Sequence, residues 1–270
     1  MISELRPTDY ESVRPLFRPL RYHLASAAVL DGNSPGRVFV DDPNRPRSAF
    51  MLSPEGCYLA GAPDNRAFNG ALNEAVVGER ALGDDVRVLF LVVHPEGWRR
   101  RLPAILDPLP MIEERRRHYV CRTLRHGWPA PPPDGYAVRR INRPLLDDAG
   151  LVVSDHVTGW MRNNWGSVER FLEGGFGFAT VHGREVVSWS LTDCVSGKGC
   201  EIGIRTAPEH RRRGLAAVTA AAAVEYALSY GFAMVGWHCP EENLGSIRTA
   251  EKVGFRRERD YVAYYARLDR

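Results

Sequence analysis

The sequence predicts a mixed α/β (α+β) protein, with a mostly antiparallel sheet flanked by helices and two similar lobes in tandem. Three observations carry this prediction. Short alternating segments separated by turn residues occur in two blocks, 37–60 and 176–206, and each block reads as an antiparallel meander. A helical stretch and then an apolar strand follow each block, which brings helices onto the sheet. Between the blocks lies GWPAPPPDG, residues 127–135, whose four prolines in nine residues continue neither a helix nor a central strand. With 270 residues, 44% of them hydrophobic, the chain is long enough to bury one or two ordinary cores.

In the first lobe a short strand precedes Thr8 and Glu11, whose spacing is that of a capping box, so a helix is expected to start there. Strands are expected at 37–40, 48–52 and 57–60, a helix at 69–80 and an apolar strand at 86–93. The arginine runs Arg99 to Arg101 and Arg115 to Arg117 read as solvated helix faces. The lobe is assigned to residues 1–130 and the linker to 131–137, within the proline-rich stretch.

The second lobe, residues 138–270, opens with a strand whose expected span, 136–141, begins in the linker. Asn142 and Pro144 then mark a helix start. A helix is expected over 157–172, followed by strands at 176–181, 186–192 and 201–206, with turns at His182-Gly183 and Ser196 to Gly199. Pro208 ends the last of these because it lacks the donor that a ladder needs. The alanine-rich stretch 212–230 predicts a long helix with Leu215, Val218, Ala222 and Tyr226 on one face. A strand at 232–237, a helix beginning near Asn243 and a closing strand complete the lobe. Its order repeats that of the first lobe, which reads as a degenerate copy.

The run TAPEHRRRGLA, Thr206 to Ala216, joins a strand to the long helix. Gly214 and Ala216 are expected in the first turn, where backbone N–H groups lack partners and the helix dipole is positive. Gly214 lets a phosphate approach the backbone, and Arg211, Arg212 and Arg213 supply charge for a pyrophosphate. The plainer alternative is a solvated basic turn at a helix start. The first lobe has no counterpart, since Gly61 to Arg66 lacks small residues at the needed spacing.

Arg211-x-x-Gly214-x-Ala216, placed between a strand and a long helix, resembles the acyl-CoA signature of the GCN5-related N-acetyltransferase (GNAT) superfamily. A second block, Asn243-x-x-Ser246 through Ala250 and Lys252 to Gly254-Phe255, is similar to the superfamily's following helix. The resemblance is good over 138–270 and weaker over the whole chain, as in a two-lobed branch. It implies acetyl-CoA, or another acyl-CoA, held by Ile204, Arg205, Thr206, Arg211, Arg212, Arg213, Gly214, Leu215, Ala216, Asn243 and Ser246. It also implies transfer of the acyl group to a primary amine by direct attack in a ternary complex, with a small-molecule or peptide acceptor.

Such a reaction needs a base, a site for the oxyanion and help for the leaving thiolate. Glu201 lies at the start of the strand that the resemblance runs beside the pantetheine arm, and is the candidate base. Backbone N–H groups of Ile204 to Thr206 are the candidate oxyanion donors. The position where relatives commonly carry an acidic tyrosine is Ala250, so Ser246, Tyr261, Tyr264 or Tyr265 is the candidate substitute. Asn243 and Ser246 can equally cap their own helix. His238 and Cys239 are adjacent, and strand neighbours point to opposite faces, so no metal site is expected from them. The aromatics Trp160, Trp165, Phe176 and Phe178 lie near the segments where the resemblance implies the acceptor is held, and core packing explains them at least as well.

Composition narrows the rivals. No apolar run reaches the roughly 20 residues that cross a bilayer, and the N-terminus has no apolar segment of a secretory signal, so a cytoplasmic protein is expected. Five cysteines without a CxxC pair suit a reducing compartment and free thiols. A net charge of +3 disfavours bulk nucleic-acid binding. Lys198 and Lys252 are the only lysines, so the arginine clusters reflect coding bias more than guanidinium chemistry. An acyl-CoA-binding module without transfer activity is the alternative that Ala250 raises, and a homo-oligomer is compatible with either reading.

Overall fold

The computed structural model describes residues 2–78 and 88–267. Its strands are β1 (Ser3–Glu4), β2 (Arg37–Val40), β3 (Ser48–Ser53), β4 (Gly56–Gly61), β5 (Val88–His94), β6 (Met111–Cys121), β7 (Tyr136–Arg140), β8 (Gly177–His182), β9 (Glu185–Ser196), β10 (Gly199–Thr206), β11 (Met234–Pro240) and β12 (Arg256–Arg267). The helices are α1 (Arg14–Phe17), α2 (Leu24–Leu30), α3 (Arg66–Asn73), α4 (Leu102–Leu106), α5 (Arg143–Leu146), α6 (Asp155–Trp165), α7 (Val168–Gly174), α8 (Leu215–Ser229) and α9 (Leu244–Val253). Two compact units form, one from Met1–Arg116 with Tyr261–Arg270 and the other from Arg117–Asp260. The proline-rich segment lies inside the second unit.

In the first unit the strands run β1-β2-β3-β4-β5-β12. β1 with β2, β2 with β3, β3 with β4 and β5 with β12 pair antiparallel, whereas β4 and β5 are parallel and connected through α3. Parallel neighbours need such a crossover. Phe50, Leu59, Phe68, Leu72, Trp98 and Tyr264 form part of its buried core.

In the second unit the order is β7-β8-β9-β10-β11-β6. Again one pair is parallel, β10 with β11, and α8 makes the crossover. The helix lies close to the sheet because its buried residues are small. Ala217, Ala220, Ala221, Ala223 and Ala227 are all buried, together with Val218 and Val224. Thr219, also buried, meets Thr180 of β8 through their hydroxyls at 2.6 Å. The pattern of the first unit therefore recurs, and each unit completes its sheet with a strand segment from the far half of the chain: residues 261–267 of β12 in the first, and residues 117–121 of β6 in the second.

Several expectations are corrected. Ala222 and Tyr226 are only half-buried, because the buried side of α8 centres on the smaller alanines instead. The helix expected over 157–172 is two helices, since Gly166 is left-handed at φ 81° and Ser167 caps α7 by accepting from the Arg170 N–H. The Thr8 capping box does not form. Pro7–Val13 is a 3-10 turn started at Arg6, and the Thr8 hydroxyl donates to Asp9 instead. The helix expected at 69–80 starts earlier, at Arg66, and continues as a π turn over Glu74–Gly78. Residues 79, 80, 86 and 87 of the expected elements lie outside the described residues. Arg115 to Arg117 belong to strand β6, where Arg116 is bonded by the Tyr261 and Tyr265 hydroxyls and Arg117 by Glu241. Arg99 and Arg100 fall in a 3-10 turn that Arg101 ends.

Gly166→Ala tests the break between α6 and α7. A Cβ there would come no closer than 3.8 Å to Arg170, so the cost is that of a left-handed backbone alone. Denaturant unfolding should register a loss of about 1 kcal/mol, with the fold retained.

Candidate active site where two parallel strands part

β10 and β11 pair at Gly199↔Met234, Cys200↔Val235 and Glu201↔Gly236, and no further. β10 nonetheless runs to Thr206 and β11 to Pro240. The two strands therefore part just beyond Glu201. β10 is held in place by β9, to which it stays paired from Ile202↔Thr192 to Thr206↔Ser188. The register of that pairing shifts between Glu201 and Ile202, leaving Asp193 as an extra residue on β9.

A pocket of about 650 Å³ opens in the second unit, lined by both arms of this gap and by the two helices that follow them. Ile204, Arg205 and Thr206 come from β10, and Trp237 from β11. The loop adds His210, Arg211 and Arg212, and the start of α8 adds Gly214, Leu215, Ala216 and Ala217. Asn243, Gly245, Ser246, Arg248, Thr249 and Lys252 line it from α9 and its cap. Of the residues expected to hold the cofactor, Arg213 alone is not among those lining the pocket.

The loop is shaped by two left-handed residues, Arg212 at φ 62° and Gly214 at φ 82°. Gly214 is the N-cap of α8 and not part of its first turn, which corrects the sequence expectation. No side chain caps this helix, and a Cβ at Gly214 would meet no atom within 4 Å. Backbone conformation, not crowding, requires the glycine, and the space above it is open. An uncapped helix start with Arg211, Arg212, Arg248 and Lys252 around it is suited to a polyphosphate.

The matching position of the first unit is closed. β4 and β5 stay paired from Cys57↔Leu91 to Ala60↔His94, and the start of α3 is capped by Asn65, whose Oδ1 accepts from the Phe68 N–H at 3.2 Å.

Asn243 caps α9, its Oδ1 accepting from the Ser246 N–H at 3.0 Å. The Ser246 hydroxyl oxygen accepts from the Trp237 indole at 2.9 Å, which leaves the hydroxyl proton to donate. Ala250 is fully buried in the core beneath α8 and α9. The three candidate tyrosines all belong to the first unit. Tyr264 is in its core, and the Tyr261 and Tyr265 hydroxyls are bonded to Arg116. Burial pushes the Tyr264 and Tyr265 hydroxyls up to about 12, and neither is placed in the pocket lining.

On the sheet face opposite α8, Glu201 does not stand alone. Its Oε1 lies 3.1 Å from His238 Nε2, and its Oε2 accepts from the Cys194 thiol at 3.5 Å. His118 of β6 stacks on His238, with ring centroids 4.5 Å apart and planes within 18°. Sequence reasoning missed this cluster, because the sequence separation of 37 from Glu201 to His238 is bridged only by the register of a parallel pair. Alternation places Val235, Trp237 and Cys239 in the core beneath α8 and leaves His238 on the other face. The ligand atoms of His118, Glu201 and His238 all lie within 4.8 Å of one another, close enough for a metal ion to be considered. In-plane lone pairs of two stacked rings run side by side, however, so both cannot reach one ion unless a ring turns. Burial, and next the charge of His238, lower the pKa of His118 to about 4, so its ring is neutral near pH 7.

Trp160 donates to Asp193 at 2.7 Å and packs over Gly203, where a Cβ would come within 2.7 Å of its ring. Trp165 and Phe176 are core residues and Phe178 is half-buried. All five cysteines are buried, and none is in a disulfide.

The family described as GNAT acetyltransferase matches residues 14–264, and the chain belongs to it. It is 28% identical to the uncharacterized N-acetyltransferase YdfB of Bacillus subtilis (strain 168), over 98% of this chain and 99% of that protein. Its fold is similar to that of a GCN5-related N-acetyltransferase-like protein from Streptococcus suis 89/1591, with a TM-score of 0.71 at 23% identity, covering 96% of this chain and 99% of the other. It is also similar to a tandem GNAT protein from the clavulanic acid biosynthesis pathway, with a TM-score of 0.58 at 14% identity, covering 100% and 99%. Among the described residues no helix is long and apolar enough to cross a membrane.

The depressed pKa of His118 has a consequence for stability. The unfolded chain takes up this proton near pH 6.5, whereas the folded one waits until about 4, so stability is present above pH 6.5 and lost as pH falls between the two. Denaturant unfolding should show about 2 kcal/mol less stability from this residue at pH 5 than at pH 7. His118→Gln should lack that share of the loss.

Proposed function

We propose that the protein transfers an acyl group, most readily acetyl, from its CoA thioester to a primary amine of a small molecule or peptide, by direct attack in a ternary complex. The observation that carries this reading is the pocket at the uncapped start of α8, lined by Arg211, Arg212, Gly214, Leu215 and Ala216. Backbone N–H groups there, with the guanidinium groups and Arg213 nearby, bind the pyrophosphate. Once bound, the acyl-CoA supplies a thioester as the acyl donor. Ile204, Arg205 and Thr206 border the gap that would take the pantetheine arm, and the backbone N–H groups among them that strand alternation turns away from β9 would meet the carbonyl oxygen. Asn243 and Ser246 sit across the pocket, where the Ser246 hydroxyl donates toward the departing thiolate. Glu201 supplies the negative charge that draws the proton from the amine. The first unit is a degenerate GNAT-like lobe, closed at the matching helix start. A cytoplasmic location is in keeping with five cysteines outside any disulfide.

Calorimetry of the full chain with CoA should give one site. Gly214→Glu puts bulk and negative charge into the open space above the helix start, and should weaken CoA binding by roughly 10²-fold or more with an unchanged circular dichroism spectrum. Two equivalent sites, or wild-type affinity in the variant, would contradict the reading. Mass spectrometry of a polyamine, amino-acid, aminoglycoside and peptide panel incubated with acetyl-CoA then identifies the acceptor.

A further inference from the structure

We infer that the first unit carries a ligand site of its own, a pocket lined by α1, α2 and the turns beside them, and that it takes a small amphipathic monocarboxylate. The inference goes beyond acyl transfer and does not depend on it. The pocket has a volume of about 490 Å³, inside the range of roughly 300 to 1,000 Å³ that small-molecule sites occupy. It is built from residues between Glu11 and Leu30, and so is separate from the capped start of α3.

Its buried side is apolar. Phe17, Ser26 and Leu30 are buried, and Pro15 and Ala27 line the pocket beside them. The Ser26 hydroxyl is already spent, donating to the His23 carbonyl at 2.9 Å. Hydrocarbon is therefore what this wall accepts without leaving a polar group unpaired.

The open side is cationic. Arg14, Arg18 and Arg21 follow one another at spacings of four and three and all reach the pocket. Arg14 is committed, paired with Glu11 at 2.6 Å and with Asp31 at 3.0 Å, and it donates to the Leu30 carbonyl. Arg18 and Arg21 are exposed, and among the described residues their guanidinium groups have no hydrogen bond or ion pair. Three guanidinium groups against the two carboxylates of Glu11 and Asp31 leave an excess of one positive charge. That excess matches a carboxylate, which guanidinium forks bind in plane, and not the dianion of a phosphate monoester. The head group then sits between Arg18 and Arg21 with its apolar body against Phe17 and Leu30.

The test is calorimetry of the full chain with decanoate and with 4-phenylbutyrate, a linear and an aromatic body on the same head group. At least one should bind at a single saturable site. Arg18→Gln combined with Arg21→Gln should weaken that binding roughly tenfold or more, because charge-assisted hydrogen bonds are lost, and should leave CoA affinity unchanged. Both side chains are exposed, and an unchanged circular dichroism spectrum checks that the double variant folds. Acetate, a head without a body, should not bind, and decylamine, a body with the opposite charge, should bind at least roughly tenfold more weakly than decanoate. Binding of neither acid, wild-type affinity in the double variant, or displacement of the acid by CoA overturns the inference. So does saturable binding of acetate, decylamine binding as tight as that of decanoate, or tighter binding of decyl phosphate.

Discussion

The separation of β10 from β11 beyond Glu201 is the constraint on which the site depends. Two parallel strands in register would spend their backbone groups on each other and leave no room for a ligand arm. Here β10 is kept straight by β9 while β11 leaves it, so one edge of β10 borders a pocket. The helix that crosses between the same two strands begins at the mouth of this gap, and it begins without a side-chain cap. Strand parting and helix start thus come from one crossover. The first unit has the same crossover but keeps its strands paired and its helix capped by Asn65. Similar topology alone therefore does not make the pocket.

Packing explains how the helix start is aimed. α8 presents alanines to the sheet over most of its length, and Thr219 bonds Thr180 across the contact. Small side chains permit close approach and little sideways play. On the other face of the sheet the cost is electrostatic. A carboxylate and two imidazoles are buried together, which is unfavourable unless they satisfy one another. The Glu201–His238 hydrogen bond and the neutral state of His118 meet that requirement. A buried hydrogen-bonded carboxylate of this kind contributes little to stability.

Much of this was legible in the sequence, because the relevant signals are local. Pro208 ends β10, alanine content predicts α8, Asn243 caps α9, and the spacing of Arg211, Gly214 and Ala216 points to the anion site. The errors are local too. Gly166 and Ser167 form a cap pair that divides a single periodic stretch, and the arginines of β6 fit either a helix or a strand by charge alone. What the sequence could not disclose depends on register over long separations. The meeting of His118, Glu201 and His238 requires three strands to be aligned, and no spacing rule reports that. The assignment of residues 261–267 of β12 to the first unit, which takes the tyrosines Tyr261, Tyr264 and Tyr265 away from the pocket lining, is likewise a matter of topology.

Hydrogen exchange of the full chain with and without CoA tests the central claim most directly, because it reads backbone amides in both units at once. The account predicts that CoA slows exchange at residues 204–206, 211–217 and 243–249, and leaves the α3 start, residues 61–68, unchanged. Protection at 61–68, or none at 211–217 under saturating CoA, would contradict the claim that the parted strands and the uncapped start of α8 form the cofactor site.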